Sequence, residues 1–335
     1  MPTSGYLIDR KTNKKYAING CPKAESPPSD PRLKQKFSDH IRFGESELPF
    51  KVDLREGMTP VEQQEFIKSC VANAFAGAYE YLLKRTYGKE IDISRLFIYY
   101  NARVKDPNYN GHVRDKGCSI TYALEALKEC DSCLEKIWSY REHRKDTCPS
   151  DDAVENAANL LITGSMEIGH NLHEMKACLA QHIPFVFGLS INQREFQAQG
   201  KNKGCIQTPP ENKPQPKNGH AMLAVGYSEI YKTFIVRNSW GPEWGDNGYC
   251  YIPCKYMLNQ DLCYEIYAVA NLEDLDDLDS KPVDKDGWFD EDETNYLEDC
   301  DNEEEYDIDD LKIVDGETEE SEATYQEETE ENEYN

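Results

Sequence analysis

The chain lacks the long apolar runs that a membrane segment needs. No stretch of its 335 residues approaches 18 consecutive apolar residues, the length at which a transmembrane helix is indicated. Residues 1–20 also lack the apolar core of a signal peptide. We therefore expect no membrane partner and a cytoplasmic or otherwise intracellular location, with an extracellular one as the less favoured alternative.

Clusters of basic residues are also lacking. The chain holds 37 Lys and Arg against 63 Asp and Glu, which gives a formal net charge of −26. Nucleic-acid-binding proteins usually carry clustered Lys and Arg, so no nucleic-acid partner is indicated. The acidity is concentrated in residues 271–335, which hold 30 Asp and Glu but only 3 Lys, whereas the rest of the chain is nearly neutral.

Composition divides the chain into three parts. Residues 271–335 predict an acidic disordered tail, because so polar a segment cannot bury enough apolar surface to offset its ordering entropy. A docking tail for a basic partner is the alternative. Residues 1–45 are polar and contain a proline cluster, which indicates an N-terminal arm or short prosegment. Residues 46–270 remain as the folded domain.

Little in the sequence indicates a metal or another cofactor. One cysteine pair has the spacing of half a zinc site, a second pair is too loosely spaced, and no histidine follows either at finger spacing. Two histidines three residues apart have no third ligand in reach, so we expect neither a metal nor a cofactor. We also expect the 12 cysteines to be reduced, since disulfides need an oxidising compartment. The residues weighed as ligands are Cys130, Cys133, Cys250, Cys254, His170 and His173.

The stretch from Gln64 to Tyr81 predicts a helix that begins at a cysteine. Val71, Phe75 and Tyr79 fall on one face of such a helix. A thiol in the first helical turn feels the positive end of the helix dipole, which lowers its pKa and favours the nucleophilic thiolate. An inert buried cysteine is the alternative for this stretch taken alone.

Two predicted strands supply further polar residues. The apolar run 221–225 between glycines indicates a buried strand with His220 at its entrance. The next run ends at Asn238, and the five residues 228–232 between the runs suit a hairpin. This hairpin would bring His220 and Asn238 close together.

Cysteine, histidine and asparagine in this order suit a nucleophile, base and orienting residue. With these three residues and the segments around them, the chain resembles the papain-like cysteine peptidases, in particular a bacterial-type branch with Ser-Cys-x-Ala-Asn-Ala at the nucleophile. The similarity spans roughly residues 46 to 270. The matching segments are Val52–Arg55, Thr59–Val61, Gln64 with Ser69–Ala74, Gly219–Ala221, Asn238–Gly241 and Trp244–Gly245.

The resemblance implies a role for each residue. Cys70 would attack the scissile carbonyl, and His220 would hold the thiolate as an ion pair and later protonate the leaving amine. Asn238 would orient the imidazole, shielded from water by Trp240. The side chain of Gln64 and the backbone N–H of Cys70 would donate hydrogen bonds to the oxyanion.

The resemblance also implies a substrate-binding surface. A loop at residues 117–119 would pair its backbone with a peptide substrate. Two small residues, Gly188 and Ala221, would line a specificity pocket that accepts bulky apolar side chains. The substrate-binding residues implied in this way are Gly117, Cys118, Ser119, Gly188, Gly219, Ala221 and Trp244.

The loop before the nucleophile departs from the family pattern. Ile67 stands where cathepsin-type relatives have a cysteine, and residues 65–68 all carry side chains where those relatives have glycines. Positive φ angles are costly without glycine. The direction of the Gln64 side chain therefore depends on how this loop is built.

The predicted fold class is α+β: a papain-like two-lobed fold with a helical lobe at about residues 50–150, a β-barrel-like lobe at about 151–270, and the cleft between them. The predicted function is a cysteine endopeptidase acting on protein or peptide substrates. The alternatives are an isopeptidase acting on a modifier protein, a catalytically weak peptide-binding homologue, and an interaction protein that works through its tail.

Two hypotheses fit the N-terminal arm. Residues 5–20 would lie along the body over the cleft and lower activity, or they would form a structural belt far from Cys70. Apolar residues within the arm, among them Tyr6, Leu7 and Tyr16, would anchor it in either case.

Overall fold

The computed structural model describes residues 5–8, 14–157, 164–191, 196, 204–210 and 218–270. The predicted acidic tail, residues 271–335, lies outside the described residues. So does most of the long loop that the sequence indicates between residues 195 and 219. Among the described residues, no helix is long and apolar enough to cross a membrane, and no cluster of side chains is suited to holding a metal.

Six α-helices have their bounds among the described residues, the last of them a single turn, and five short 3-10 helices accompany them. The predicted helix at Cys70 is confirmed, and it ends at Gly88, whose left-handed φ of 65° closes the last turn. Ser94 is the predicted N-cap of the next helix and accepts a hydrogen bond from the backbone N–H of Phe97. The helices are α1 (Cys70–Tyr87), α2 (Arg95–Val104), α3 (Ile120–Cys130), α4 (Asp151–Ala157), α5 (Leu172–Ala180) and α6 (Cys254–Met257).

Strands follow mainly in the second half of the chain. A small antiparallel pair, β1 and β2, stands apart from a larger sheet of eight described strands. The order within the larger sheet is β3-β5-β10-β6-β7-β8-β9, with β4 paired to β7. The strands are β1 (Tyr6–Ile8), β2 (Lys15–Ala17), β3 (Gln35–Lys36), β4 (Lys51–Asp53), β5 (Gly164–Glu167), β6 (Phe185–Ile191), β7 (Asn218–Ser228), β8 (Thr233–Arg237), β9 (Tyr249–Pro253) and β10 (Cys263–Ala270).

The predicted hairpin is confirmed. β7 and β8 are antiparallel, with Ser228 opposite Thr233 at the turn. Helix α1 packs its small and apolar residues against β7, and α2 packs against α3 in the helical half. This packing holds the N-terminus of α1 against the strand that carries His220. The helical half and the sheet together form the predicted α+β arrangement.

The N-terminal arm is built into the fold. Leu33 and Phe37 are fully buried in the core, and β3 joins the edge of the main sheet by pairing parallel to β5. The arm is therefore not a simple linker ahead of residue 46.

Ten cysteines of the described part carry free thiols. Cys205 is the exception, because it is disulfide-bonded. The expectation that all thiols are reduced is therefore wrong at this position. His170 is hydrogen-bonded to the backbone carbonyl of Cys263, and His173 to that of Phe43.

Candidate active site

Cys70 is the first residue of α1 and is completely buried. Its Sγ accepts a hydrogen bond from the backbone N–H of Ala221 at 3.4 Å. Ala221 follows His220 in β7, so the contact fixes the thiol beside the histidine strand. The structure thus places Cys70 beside the strand that carries His220, which lies 150 positions later in the sequence.

His220 and Asn238 form the second part of the site. The Nε2 of His220 lies 2.8 Å from the Oδ1 of Asn238, and both side chains are buried. The backbone N–H of Ser239 also donates to this Oδ1 at 2.8 Å, which fixes the amide with its oxygen toward the imidazole. Since Oδ1 is an acceptor, Nε2 carries the proton. Nδ1, which has no partner among the described residues, is then the basic nitrogen.

Aromatic rings cover this pair. The ring of Trp240 lies 4.8 Å from that of His220, and Trp244 packs edge-on against Trp240 at 5.0 Å. Tyr16 of the arm stacks on Trp240 at 5.2 Å. The imidazole and amide are therefore closed off from water, which strengthens their hydrogen bond.

Gln64 lies in the loop before α1 and is also buried. Its Nε2 donates to the carbonyl of Ile67 at 2.8 Å, and its Oε1 accepts from the hydroxyl of Ser239 at 2.6 Å. The residue is thus tied to the segment that carries Asn238. Glu65 takes the costly positive φ of 52° that the absence of glycine made questionable.

The arm lies directly over the nucleophile. A Cβ placed on Gly20 would be 2.7 Å from the Sγ of Cys70 and 2.8 Å from the carbonyl oxygen of Lys68, so only glycine fits here without displacement. Ile18 and Cys21 on either side are fully buried. The hypothesis of a belt far from Cys70 is therefore wrong.

The arm is held by residues that the family resemblance assigns to substrate binding. The backbone N–H of Cys118 donates to the carbonyl of Gly20 at 3.1 Å, and the N–H of Cys21 donates to the carbonyl of Gly219 at 3.1 Å. A Cβ placed on Gly117 would be 2.5 Å from the carbonyl oxygen of Gly20. Extended backbone pairing of this kind suits any peptide in the cleft.

Two further predicted residues have different surroundings. Ser119 caps α3 by accepting a hydrogen bond from the N–H of Tyr122 at 3.1 Å. A Cβ on Gly188 would lie 2.4 Å from the ring of Tyr264. The Tyr264 ring thus fills the space over Gly188, where the family resemblance implies a pocket for bulky apolar side chains.

Sequence reasoning missed two residues of β10. Tyr264 donates from its hydroxyl to the carbonyl of Cys21 at 2.6 Å. Glu265 is the neighbouring residue, has a φ of 50°, and accepts hydrogen bonds from the N–H groups of Ala24 and Thr121. Both contacts arise at an irregularity in the pairing of β10 with β6, for which the sequence gives no signal.

Burial governs protonation in the covered site. It raises the pKa of the Cys70 thiol to about 12, although backbone N–H groups of Ala221 and Val71 lower it. It also lowers the pKa of His220 to about 4, against the opposing effect of the bond to Asn238. The thiolate predicted from the helix start is therefore not the favoured form beneath the arm, because desolvation outweighs the helix dipole.

Fold and site together define a class. A helix that begins at a cysteine and packs against a strand bearing a histidine paired with an asparagine is the arrangement of a cysteine peptidase, a hydrolase. The family described as papain family cysteine protease matches residues 48–268. The chain belongs to this family.

Individual relatives agree with this assignment. The chain is 30% identical over 276 residues to an uncharacterized peptidase C1-like protein of Acanthamoeba polyphaga mimivirus, covering 80% of this chain and 82% of that protein. It is 29% identical over 216 residues to cathepsin K of Gallus gallus, covering 61% of this chain and 58% of that sequence. Among solved structures, xylellain from Xylella fastidiosa matches with a TM-score of 0.63 and 30% identity, over 76% of this chain and 98% of that one.

Proposed function

We propose that the chain is an endopeptidase that works through an acyl-enzyme on Cys70. The observation that carries this proposal is the position of the Cys70 thiol at the start of α1 beside the buried His220–Asn238 pair. The papain family supplies the class of substrate, which is a protein or peptide.

Each step has a residue of this chain to perform it. The Cys70 sulfur forms a bond to the scissile carbonyl carbon after its proton passes to Nδ1 of His220. The carbon–nitrogen bond then breaks, and the leaving amine takes that proton. Water then gives a proton to the same Nδ1 and attacks the thioester carbonyl carbon. The carbon–sulfur bond breaks, the acid is released, and the sulfur takes the proton back from Nδ1. Asn238 holds the ring through both steps, and the donors for the oxyanion are the Cys70 N–H and the Gln64 side chain.

Replacement of the nucleophile tests this proposal. Cys70→Ala removes only the sulfur at a helix start that accepts alanine, so we expect an unchanged fold and a loss of peptide hydrolysis by several orders of magnitude. Hydrolysis retained by this variant would contradict the proposal. An isopeptidase would use the same residues, and a comparison of linear peptides with isopeptide-linked substrates separates the two activities.

We further propose that the arm inhibits the enzyme. Its residues Gly20 and Cys21 occupy the backbone positions assigned to substrate at Cys118 and Gly219, and its bulk keeps water from Cys70. A substrate must displace this segment before its carbonyl reaches the sulfur.

The exchange Gly20→Ala tests the inhibition in the full chain. The added methyl group would collide with the Cys70 sulfur and the Lys68 carbonyl, so we expect the arm to leave the cleft and turnover of a small fluorogenic peptide to rise. Gly5→Ala is the matched control, because its methyl group would meet only the Lys68 side chain at 3.7 Å. Equal turnover in Gly20→Ala, Gly5→Ala and the parent chain would end the proposal.

Three finer assignments remain proposals. The bacterial-type branch is supported by the Ser-Cys-x-Ala-Asn-Ala sequence at residues 69–74 and by the similarity to xylellain. An intracellular location is supported by the ten free thiols of the described residues and opposed by the disulfide at Cys205. A basic partner for residues 271–335 rests on their charge alone.

A further inference from the structure

The loop from Gln64 to Ser69 has to be held without the glycines or the cysteine of cathepsin-type relatives. It carries a residue with positive φ, Glu65, and it precedes the N–H of Cys70. Both proposed oxyanion donors lie at its ends. A loop that shifts by an ångström would misplace both of them.

Tyr140 joins the two ends of this loop. Its hydroxyl donates to the carbonyl of Gln64 at 2.8 Å and lies 2.7 Å from the hydroxyl of Ser69. A phenol has one proton to donate, so Ser69 is the donor in the second bond. The hydroxyl oxygen of Tyr140 therefore links the backbone carbonyl of Gln64 to the side chain of Ser69, five residues later.

The ring of Tyr140 is itself fixed. The guanidinium of Arg95 lies over it at 4.1 Å from its centre, and Arg95 is held in turn by an ion pair with Glu62 at 2.8 Å. The backbone N–H of Tyr140 donates to Glu135. The stacked Arg95 cation and the backbone hydrogen bond to Glu135 therefore keep the Tyr140 ring in place if the loop 64–69 shifts.

The far end of the loop has a second support. Asn73, in the first turn of α1, donates from its side chain to the Ser69 hydroxyl at 3.0 Å and to the Ser69 carbonyl at 3.0 Å. Its own oxygen accepts from Arg95 at 3.4 Å. Arg95, Asn73, Ser69 and Tyr140 thus form one connected and largely buried polar chain that ends at Gln64.

We propose that Tyr140 is a positioning residue for acyl transfer, and that its hydroxyl sets the spacing between the Gln64 side chain and the Cys70 N–H. This inference rests on the proposed function, because it assigns Tyr140 to the oxyanion donors of that reaction. Tyr140 does not touch the reacting atoms and acts through the loop. Removal of the hydroxyl loosens the loop while the stacked ring stays in place.

Tyr140→Phe in the full chain tests this role with two probes. A peptide aldehyde forms a tetrahedral adduct on Cys70 whose oxygen needs the oxyanion donors, whereas iodoacetamide alkylates Cys70 without them. Both probes require the arm to leave, so their ratio within one variant is independent of arm occupancy. Tyr227→Phe is the matched control, since it removes a tyrosine hydroxyl bonded to the Pro49 carbonyl at 2.7 Å away from the site.

We expect Tyr140→Phe to weaken aldehyde binding about tenfold, less than the loss of an oxyanion donor itself, with iodoacetamide alkylation within about twofold of the parent. For peptide hydrolysis, kcat falls while KM changes little. Tyr227→Phe leaves both probes unchanged. If Tyr140→Phe lowers aldehyde affinity and the iodoacetamide alkylation rate by the same factor, or changes neither, the inference is overturned. Absence of reaction with either probe in the opened Gly20→Ala variant overturns the proposed function and this inference with it.

Discussion

Gly20 of the arm lies so close to Cys70 that a single methyl group between them would be 2.7 Å from the sulfur. This contact excludes water from the Cys70 thiol. The reactivity of the thiol therefore depends on the position of the arm as well as on its place at the start of α1. The protonation of Cys70 should therefore change when the arm moves.

Alkylation against pH measures that change. Burial raises the pKa of Cys70 to about 12, so the thiolate fraction of the full chain stays small until alkaline pH. Opening the cleft in Gly20→Ala admits water and removes the desolvation, so alkylation should become fast well below the ~8.5 of a free thiol. His220→Ala in the opened variant should return the alkylation pKa toward the free value. Identical pH profiles for the parent chain and Gly20→Ala would contradict the link between arm and thiol.

Asn238→Ala should disturb the orientation of the His220 imidazole while leaving the Cys70 nucleophile in place. The variant loses the bond that holds Nε2 of His220, so the imidazole turns and the wrong nitrogen can carry the proton. We expect kcat to fall about 10- to 100-fold, less than the ~10⁴-fold lost when a charged orienting residue is replaced in a serine triad. Steady-state kinetics at fixed pH provide the measurement. A KM effect with unchanged kcat would place Asn238 outside the catalytic unit.

Glu80 predicts a pH dependence of stability. This α1 carboxyl accepts hydrogen bonds from Thr59 and from the N–H of Ile93, and burial raises its pKa from 4.5 to about 7. The folded state therefore binds the proton more tightly than the unfolded state. The resulting stability is complete below about pH 4.5 and is lost as pH rises through about 7.

Urea unfolding at pH 5 and at pH 7.5 tests this prediction. The parent chain should lose about 2 to 3 kcal/mol of unfolding free energy to this group over that range. Glu80→Gln keeps an acceptor oxygen but cannot ionise, so its loss should be smaller by that amount. An equal loss in both proteins would mean that Glu80 stays charged when buried.

Local patterns predicted the elements that carry the site. The spacing of Val71, Phe75 and Tyr79 indicated α1, and the short gap between apolar runs indicated the β7–β8 hairpin; both are confirmed. The relations within each of these elements are short-range, and periodicity reports them directly.

The long-range contacts escaped prediction. The arm meets Cys70 through pairings between residues about 50 to 200 positions apart, such as Gly20 with Cys118 and Cys21 with Gly219. Tyr264 contacts the arm because the pairing of β10 with β6 shifts register just after Tyr264. Amino-acid composition does not indicate such a shift. The expectation of a lowered pKa for the Cys70 thiol is wrong for the same reason. It considered the helix dipole but not the burial of the thiol beneath the arm.

The burial of Leu33 and Phe37 in the core has a consequence for how the arm works. In the inhibition proposed above, the segment over Cys70 acts as a tethered ligand whose anchor belongs to the fold. A ligand of this kind has a fixed effective concentration in its cleft, so dilution of the enzyme cannot release it and a cut between residues 8 and 14 would leave it in place. A substrate or partner that competes for Cys118 and Gly219 would open the cleft, and the arm would return when that competitor departs. Activity would then follow the supply of competitor from moment to moment.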